Sequence, residues 1–120
     1  MAIEIVIRFL VNGGGFEIIF RSVKKISTDE VLKRMKQNEK LQLIDVRTKD
    51  EVDNGKIPGV RHIPLHELPA RMHEIDKDKE CILVCRSGNR SGKAAKLLKA
   101  NGFNAINMTG GMLGWKGKTE

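Results

Sequence analysis

Aromatic residues are scarce in this chain of 120 residues, which has four Phe, one Trp and no Tyr. Proteins that bind nucleic acids by stacking bases use aromatic side chains as platforms, so the scarcity counts against a nucleic-acid partner. Long hydrophobic runs are missing too, because no apolar run in residues 3–20 exceeds three residues. A membrane span needs about 20 mostly apolar residues. The start of the chain also has no cleavage site typical of a secretory signal, so we expect no membrane partner.

Cysteine is rare, with Cys81 and Cys85 as the two examples. If both lie on one strand they are about 13 Å apart, too far for a disulfide bond. No His or Cys cluster has zinc-ligand spacing, so we predict neither a metal nor another cofactor. Free thiols are typical of a reduced, cytoplasmic protein. Cys81 has no basic neighbour, and we expect it to be a packing residue.

Acidic residues are absent between Glu80 and Glu120, whereas the chain as a whole has 15 of them against 22 Lys and Arg, for a formal charge of +7. A region of one sign favours anionic ligands or partners. The lysines of the region, taken alone, are typical of a solvated face. The bases in this region are Arg86, Arg90, Lys93, Lys96, Lys99, Lys116 and Lys118.

The apolar pattern predicts one domain over residues 26–120, preceded by an N-terminal extension over residues 1–25. Alternating apolar residues from Ile3 to Val11 predict a strand, and Gly13–Gly15 predicts a turn. Three interpretations stay open for the extension: a β-hairpin, an oligomerisation arm or a segment added to the natural domain. Nothing in the sequence chooses between them.

Strands and helices alternate after the extension, which is typical of an α/β fold around a mostly parallel sheet. Ser27 and Glu30 have the spacing of a capping box at the start of a helix. The predicted strands are 41–46, 60–63, 81–85 and 103–108. The further predicted helices are 68–75 and 91–100, with a short helix or turn within 50–59.

The segment Cys85–Ser91, with the sequence CRSGNRS, carries the chemistry. A buried strand leads into it and a helix leads out, which places Cys85 where ligands bind in open α/β sheets. Loop N–H groups and a helix N-terminus bind anions, and Arg86 and Arg90 add positive charge. Such surroundings lower the pKa of a thiol and make it a nucleophile. Gly88 allows the loop to bend tightly.

Four segments, taken in order from Ile26 to Trp115, resemble one known family over roughly three quarters of the chain. Each match alone is weak, but together and in register they are strong. They are Leu43–Arg47 (LIDVR), Gly55–Gly59 (GKIPG) followed by Ile63 and Pro64, the loop Cys85–Ser91, and Gly102 and Phe103 with Gly110–Met112 and Trp115. With these motifs the chain resembles the single-domain rhodanese family, which is thiosulfate sulfurtransferase-like. One departure is Lys56, where the family often has His.

The resemblance implies a rhodanese-like α/β fold with a central, mostly parallel sheet flanked by helices on both faces. It also implies that a Cys85 thiolate takes a sulfane sulfur from a small anionic donor such as thiosulfate and holds it as a persulfide. Cyanide in vitro, or a thiol in the cell, then accepts the sulfur. A protein that donates or accepts sulfur is a further partner that fits this chemistry.

The same resemblance implies roles for the residues around Cys85. Asp45, Arg47 and Ser91 are implied as supports, although a plain structural ion pair explains Asp45 and Arg47 at least as well. The implied donor-binding residues are Arg86, Ser87, Gly88, Asn89 and Arg90.

Two other classes of function share parts of this pattern. Phosphatases and arsenate reductases of related fold have one more residue between the cysteine and the arginine, and Ser91 stands where that arginine would be. A shorter loop suits a single sulfur atom better than a tetrahedral oxyanion. A non-enzymatic sulfur-carrier or regulatory module is the other class, and the intact loop with Cys85 counts against it. The three histidines, His62, His66 and His73, are interpreted as surface or loop residues.

Overall fold

The computed structural model describes residues 4–8, 17–21 and 23–120. In these residues, strands and helices alternate from β3 onward. The strands are β1 (Glu4–Arg8), β2 (Glu17–Arg21), β3 (Lys24–Ser27), β4 (Gln42–Asp45), β5 (Arg61–His62), β6 (Cys81–Val84) and β7 (Ala105–Thr109). The helices are α1 (Thr28–Lys36), α2 (Lys49–Asp53), α3 (Leu68–Arg71) and α4 (Asn89–Ala100), with 3₁₀ turns at Leu65–Glu67, Met72–Glu74 and Met112–Gly114.

Five of these strands form one sheet in the order β3–β7–β6–β4–β5. Every neighbouring pair in it is parallel, as the alternation of strands and helices predicted. Strand β6 lies in the middle, and all four of its residues are buried. A parallel sheet covered on both faces has such uninterrupted apolar strands. The carboxyl end of β6, where Cys85 follows, is therefore at the centre of the domain.

Helices cover both faces of the sheet, which confirms the predicted layers. On one face Leu83 of β6 packs in a cluster with Ala94 and Leu98 of α4. On the other face Ile82 of β6 packs with Val31 of α1. Because successive side chains of a strand point to opposite faces, one short apolar strand supplies both halves of the core.

The helix boundaries differ from the predictions in two places. Helix α1 is capped as predicted, since the Ser27 hydroxyl accepts a 3.0 Å hydrogen bond from the Glu30 N–H. Helix α4 begins at Asn89, two residues before the predicted start, because Gly88 already forms the cap with a φ of 97°. The predicted helix 68–75 is instead α3 between two 3₁₀ turns, and Pro69 near its start lacks the N–H for a helical bond.

Strand β3 was not predicted. It pairs with β7 at the edge of the sheet. Only Ile26 of its four residues is buried, while both lysines are exposed, so its sequence has little of the apolar character that marks a strand. Lysine on an edge strand discourages pairing with other chains.

The N-terminal extension contributes a separate two-stranded antiparallel sheet. Strand β1 pairs with β2 so that Glu4 is opposite Arg21 and Arg8 is opposite Glu17. This pairing is the one that a β-hairpin would have. The predicted turn at Gly13–Gly15 lies outside the described residues. Of the helices in the described part of the chain, none is both long and apolar enough to cross a membrane.

Candidate active site

Cys85 begins a loop that leads from β6 into α4, and a second loop supports it from behind. The Met112 N–H donates to the Cys85 carbonyl at 2.9 Å, and the Leu113 N–H donates to the Arg86 carbonyl at 3.0 Å. Gly111 makes this approach possible with a φ of 57°. A Cβ at Gly111 would overlap the backbone of Arg86 and lie 2.6 Å from the Cys85 carbonyl oxygen. The segment Gly110–Leu113, which we call the brace, therefore holds the cysteine loop from the other side.

The Cys85 sulfur has a backbone N–H donor and a hydroxyl group as close neighbours. The Gly88 N–H donates to it at 3.0 Å, and the Ser91 Oγ lies 3.2 Å away. Burial raises the pKa of the Cys85 thiol. Hydrogen bonds from the Ser91 hydroxyl and from the N–H groups of Ser91, Gly88 and Ser87 outweigh burial, so the pKa is lower than usual. The loop therefore stabilises an anionic sulfur at this position.

The cysteine itself is wholly covered, with 0 % of its surface exposed. The loop side chains above it, Arg86, Ser87 and Asn89, are exposed, and Gly88 and Arg90 are partly exposed. A donor therefore reaches the sulfur only when residues around Cys85 move.

Arg90, which we expected to bind the donor, is paired with Glu51 of α2. Two hydrogen bonds of 2.6 and 2.8 Å join the guanidinium to both carboxylate oxygens. The pair lowers the pKa of Glu51 to about 2, because the hydrogen bond from Arg90 and those at Thr48 outweigh the effect of burial. The same hydrogen bond raises the pKa of Arg90. Arg86, by contrast, is exposed and has no hydrogen bond or ion pair from its side chain within the described residues.

Glu51 was missed in the sequence, although a signal for it exists. Thr48 and Glu51 have the spacing of a capping box, and the structure shows both of its hydrogen bonds at the start of α2. That signal places Glu51 in the first turn of a helix. The contact with Arg90 joins residues 39 positions apart, so it follows only from the tertiary fold.

Asp45 and Arg47 form a buried ion pair at the carboxyl end of β4, with a shortest contact of 2.8 Å. Arg47 also donates to the carbonyl of Gly55 at 2.8 Å and to that of Glu51 at 3.4 Å. These contacts hold α2 and the loop after it against the sheet. The pair thus touches the helix that positions Arg90, which agrees with a supporting and structural role.

A second buried network joins the cysteine loop to β7. The Ser91 hydroxyl donates to Asn107 Oδ1 at 2.6 Å, and Asn107 Nδ2 donates to the Gly88 carbonyl at 3.0 Å. Asn107 was also missed. Its signal was a polar residue within the apolar run Ala105–Met108, since a buried amide needs partners.

Cys81 and the histidines have different surroundings from Cys85. Burial raises the pKa of the Cys81 thiol to about 12, which agrees with a packing residue. His62 differs from our interpretation, because it lies in β5, is half-buried, and its Nε2 is 2.7 Å from the Arg47 carbonyl. His66 and His73 are exposed. Within the described ranges, no group of His, Cys, Asp and Glu side chains could hold a metal ion.

Lys56, the departure from the family pattern, lies in the loop after α2. Its N–H donates to the Glu120 carbonyl at 3.1 Å, and its own carbonyl accepts from the Glu120 N–H at 2.9 Å. These bonds use only main-chain atoms, so they do not depend on the side chain at position 56.

The structure is that of an α/β domain with a cysteine directly after the central strand, in the loop that leads into α4. A family model described as Rhodanese-like domain matches residues 27–118. A crystal structure of a rhodanese-like domain protein from Staphylococcus aureus is 35 % identical, with a TM-score of 0.78, over 82 % of this chain and 97 % of that one. The chain belongs to the rhodanese-like domain family.

Curated relatives have names connected with sulfur transfer. Bacillus subtilis (strain 168) has "Putative sulfurtransferase YtwF", which is 43 % identical over 82 % of this chain and 95 % of its own length. A protein named "Sulfurtransferase" from Allochromatium vinosum is 36 % identical over 78 % of this chain and 88 % of its own. "Putative sulfur carrier protein YrkF" from B. subtilis is 39 % identical over 98 % of this chain, which spans 64 % of that protein. A role in sulfur transfer follows from the family.

Proposed function

We propose that this protein is a sulfurtransferase that moves a sulfane sulfur from thiosulfate to a thiophilic acceptor through a persulfide on Cys85. The observation that carries the proposal is the position of the Cys85 sulfur, which faces the Gly88 N–H at 3.0 Å and the Ser91 hydroxyl at 3.2 Å. Donors so arranged stabilise a thiolate, which is the form of cysteine that attacks sulfur.

In the first step the Cys85 thiolate attacks the outer sulfur of thiosulfate. A new S–S bond forms, the S–S bond of thiosulfate breaks, and its electron pair leaves with sulfite. The terminal sulfur of the resulting persulfide carries one negative charge. In the second step cyanide attacks that sulfur, thiocyanate leaves, and the Cys85 thiolate returns. Neither step needs an outside oxidant or reductant, since the sulfur is only transferred.

The charges around the loop suit an anionic donor. The exposed guanidinium of Arg86 is available to attract a sulfonate group. Arg90 has its charge compensated by Glu51, so we assign it a smaller share in donor binding and a larger one in holding the loop. Ser87, Gly88 and Ser91 contribute backbone N–H groups to the sulfur. The two free thiols suit a reduced, cytoplasmic setting.

Intact-protein mass spectrometry after incubation with thiosulfate tests the proposal. We expect the wild-type protein to gain the mass of one sulfur atom and to lose it when cyanide is added, with release of thiocyanate. Cys85→Ser should gain nothing. Cys81→Ser is the matched control, because it makes the same chemical change at the start of β6, four residues before Cys85, and it should gain one sulfur. Sulfur uptake by Cys85→Ser, or no uptake by wild type from thiosulfate or from a persulfide donor, would contradict the proposal.

A sulfur-carrier function is the second candidate, and the similarity to the protein named as a sulfur carrier favours it, since that match covers 98 % of this chain. A carrier holds the persulfide for a protein acceptor, whereas an enzyme turns over with small acceptors. Thiocyanate formed per chain distinguishes them. Many equivalents with excess thiosulfate and cyanide identify an enzyme, and a single equivalent identifies a carrier.

Phosphate-ester hydrolysis is the remaining alternative. A longer phosphatase loop has an arginine where this chain has Ser91. The Ser91 hydroxyl is within hydrogen-bond distance of the Cys85 sulfur and of Asn107, and it cannot replace the guanidinium group of that arginine. We expect no hydrolysis of p-nitrophenyl phosphate by the wild-type protein above the level of Cys85→Ser.

A further inference from the structure

Asn107 is a buried amide on the apolar strand β7, and both ends of its side chain serve the cysteine loop. Its Nδ2 donates to the Gly88 carbonyl at 3.0 Å. Its Oδ1 accepts from the Ser91 hydroxyl at 2.6 Å. Because Ser91 Oγ lies 3.2 Å from the Cys85 sulfur, Asn107 is one residue removed from the reacting atom.

The nitrogen of the amide fixes the backbone of the loop. The Gly88 carbonyl accepts a second bond, of 3.1 Å, from the Gly92 N–H in the first turn of α4. In a trans peptide the carbonyl and the following N–H point in opposite directions. When Asn107 draws the Gly88 carbonyl toward β7, it therefore fixes the orientation of the peptide unit that joins the loop to α4. Gly88 also carries the N–H that donates to the Cys85 sulfur at 3.0 Å, so a fixed Gly88 carbonyl restrains the residue that supplies this donor.

The oxygen of the amide determines where the single hydrogen of the Ser91 hydroxyl points. When the hydroxyl hydrogen is donated to Asn107, a lone pair on Ser91 Oγ faces the sulfur. That lone pair can accept a hydrogen bond from the S–H group of a neutral Cys85 thiol. When Cys85 ionises, the hydroxyl must rotate to donate to the sulfur. A neutral amide oxygen releases the hydrogen more easily than a carboxylate would. The charge at position 107 is thus coupled to the charge on sulfur.

The charged groups that face the sulfur come from other elements. Arg90 on α4 interacts with the Cys85 charge and is paired with Glu51 on α2. Asp45, at the end of β4, is paired with Arg47. Strand β7, with the sequence AINMT, contributes no charged residue. A charge at position 107 would therefore be new on that side of the site.

We propose that Asn107 is a positioning residue for Cys85: it fixes the cysteine loop through Gly88 and orients the Ser91 hydroxyl, so that it determines how readily the sulfur becomes an anion. The proposal deepens the sulfurtransferase function proposed above and rests on it. The Asn107 amide also lies close to α4, since a Cβ at Gly92 would be 3.2 Å from Asn107 Nδ2 and would crowd the amide.

The test is the pH profile of Cys85 alkylation by iodoacetamide, read peptide by peptide in a mass spectrometer so that Cys81 is counted separately. Asn107→Asp keeps the shape of the side chain, adds a negative charge and removes the donor to Gly88. We expect the midpoint of its profile to rise by about one pH unit, a tenfold loss of thiolate at a fixed pH below the midpoint. Asn104→Asp, the same change at an exposed position just before β7, should leave the midpoint within about 0.3 units.

Gly92→Ala keeps the inference testable if Asn107→Asp does not fold. Alanine favours a helix, so the variant should fold, while its methyl group displaces the Asn107 amide. We expect its midpoint to rise by about 0.5 units. Folded variants whose midpoints equal that of Asn104→Asp would overturn the proposal. Alkylation needs no sulfur donor, so this outcome is distinguishable from a failure of the proposed function, which sulfur uptake by the wild type reports separately.

Discussion

Glu51 and Arg90 are 39 positions apart in the chain, yet they are joined by two hydrogen bonds of 2.6 and 2.8 Å. Glu51 lies in the first turn of α2 and Arg90 in the first turn of α4. The pair therefore connects the helix that follows β4 to the helix that follows the cysteine loop. Arg90 therefore helps to hold the cysteine loop in place and also contributes a positive charge to it.

Glu51→Gln should reduce stability in a pH-dependent way. The folded-state pKa of Glu51, about 2, is below its ordinary value of 4.5, so its contribution is full above pH 4.5 and is lost as the pH falls toward 2. Glutamine can still complete the capping box, so the variant isolates the ion pair. We expect a loss of about 1 kcal/mol in the free energy of unfolding at pH 7 and almost none near pH 2.

Urea unfolding of the wild-type protein and of Glu51→Gln at several pH values measures the difference in their free energies of unfolding. Glu74→Gln is the matched control, because its hydrogen bond to Arg71 also lowers the Glu74 pKa to about 2, at a place remote from Cys85. Both variants should show the same pH window. A difference between wild type and Glu51→Gln that stays constant from pH 7 to pH 2 would contradict the assignment.

Arg86→Gln should weaken the binding of thiosulfate. Arg86 follows Cys85 directly in the chain, and its side chain is exposed and has no partner in the described residues, so its charge is available to attract an anion. We expect the KM for thiosulfate to rise about tenfold, equal to ~1.4 kcal/mol, and its dependence on salt to fall. Steady-state kinetics at two ionic strengths measure both.

Lys79→Gln is the control for this charge effect. Lys79 is exposed and lies two residues before β6, at the opposite end of the strand from Cys85. The Lys79→Gln substitution removes one positive charge, as Arg86→Gln does, but the KM of this variant for thiosulfate should stay close to the wild-type value. Equal changes in the two variants would mean that the overall charge, and not Arg86, attracts the donor.

Gly111→Ala should disrupt the brace behind Cys85. The new Cβ would lie 2.6 Å from the Cys85 carbonyl oxygen, and the φ of 57° is unfavourable for alanine. We expect a loss of about 2 kcal/mol or more in the free energy of unfolding, together with slower sulfur uptake.

Gly59→Ala is the control for Gly111→Ala, because it introduces backbone strain at a positive φ without any overlap between the new Cβ and other atoms. Its φ is 79°, yet nothing lies within 4 Å of the position of a Cβ. We expect it to lose about 1 kcal/mol and to take up sulfur at the wild-type rate. Thermal or urea unfolding ranks the two variants, and a smaller loss for Gly111→Ala than for Gly59→Ala would refute the role of the brace.

Asp45→Asn should be strongly destabilising. It leaves the Arg47 guanidinium, which has a 2.8 Å contact to Asp45, buried without a counter-charge. We expect a loss of about 3 kcal/mol or more in the free energy of unfolding. The double variant with Arg47→Met should lose less than the two single variants added together, because it removes both charges. Strict additivity in urea unfolding would show that the two side chains do not interact.

Local features of the sequence were sufficient to predict much of this domain. The apolar run Cys81–Cys85 predicted the central strand, and the loop that follows it predicted the position of the candidate nucleophile. Ser27 predicted the start of α1 correctly. These features depend on neighbours within a few positions, and the local rules of strand pattern, helix capping and glycine turns apply there directly.

The tertiary structure alone decided which distant residues meet at the cysteine loop. Glu51 reaches Arg90 across 39 positions, and Asn107 reaches Ser91 across 16. Residues Lys24–Ser27 include two exposed lysines, and they form strand β3 because they pair with β7 at the edge of the sheet. The sequence by itself determined the alternation of strands and helices and the position of the loop that contains Cys85. The fold determined the partners of that loop, because packing brings together side chains whose positions in the chain show no regular spacing.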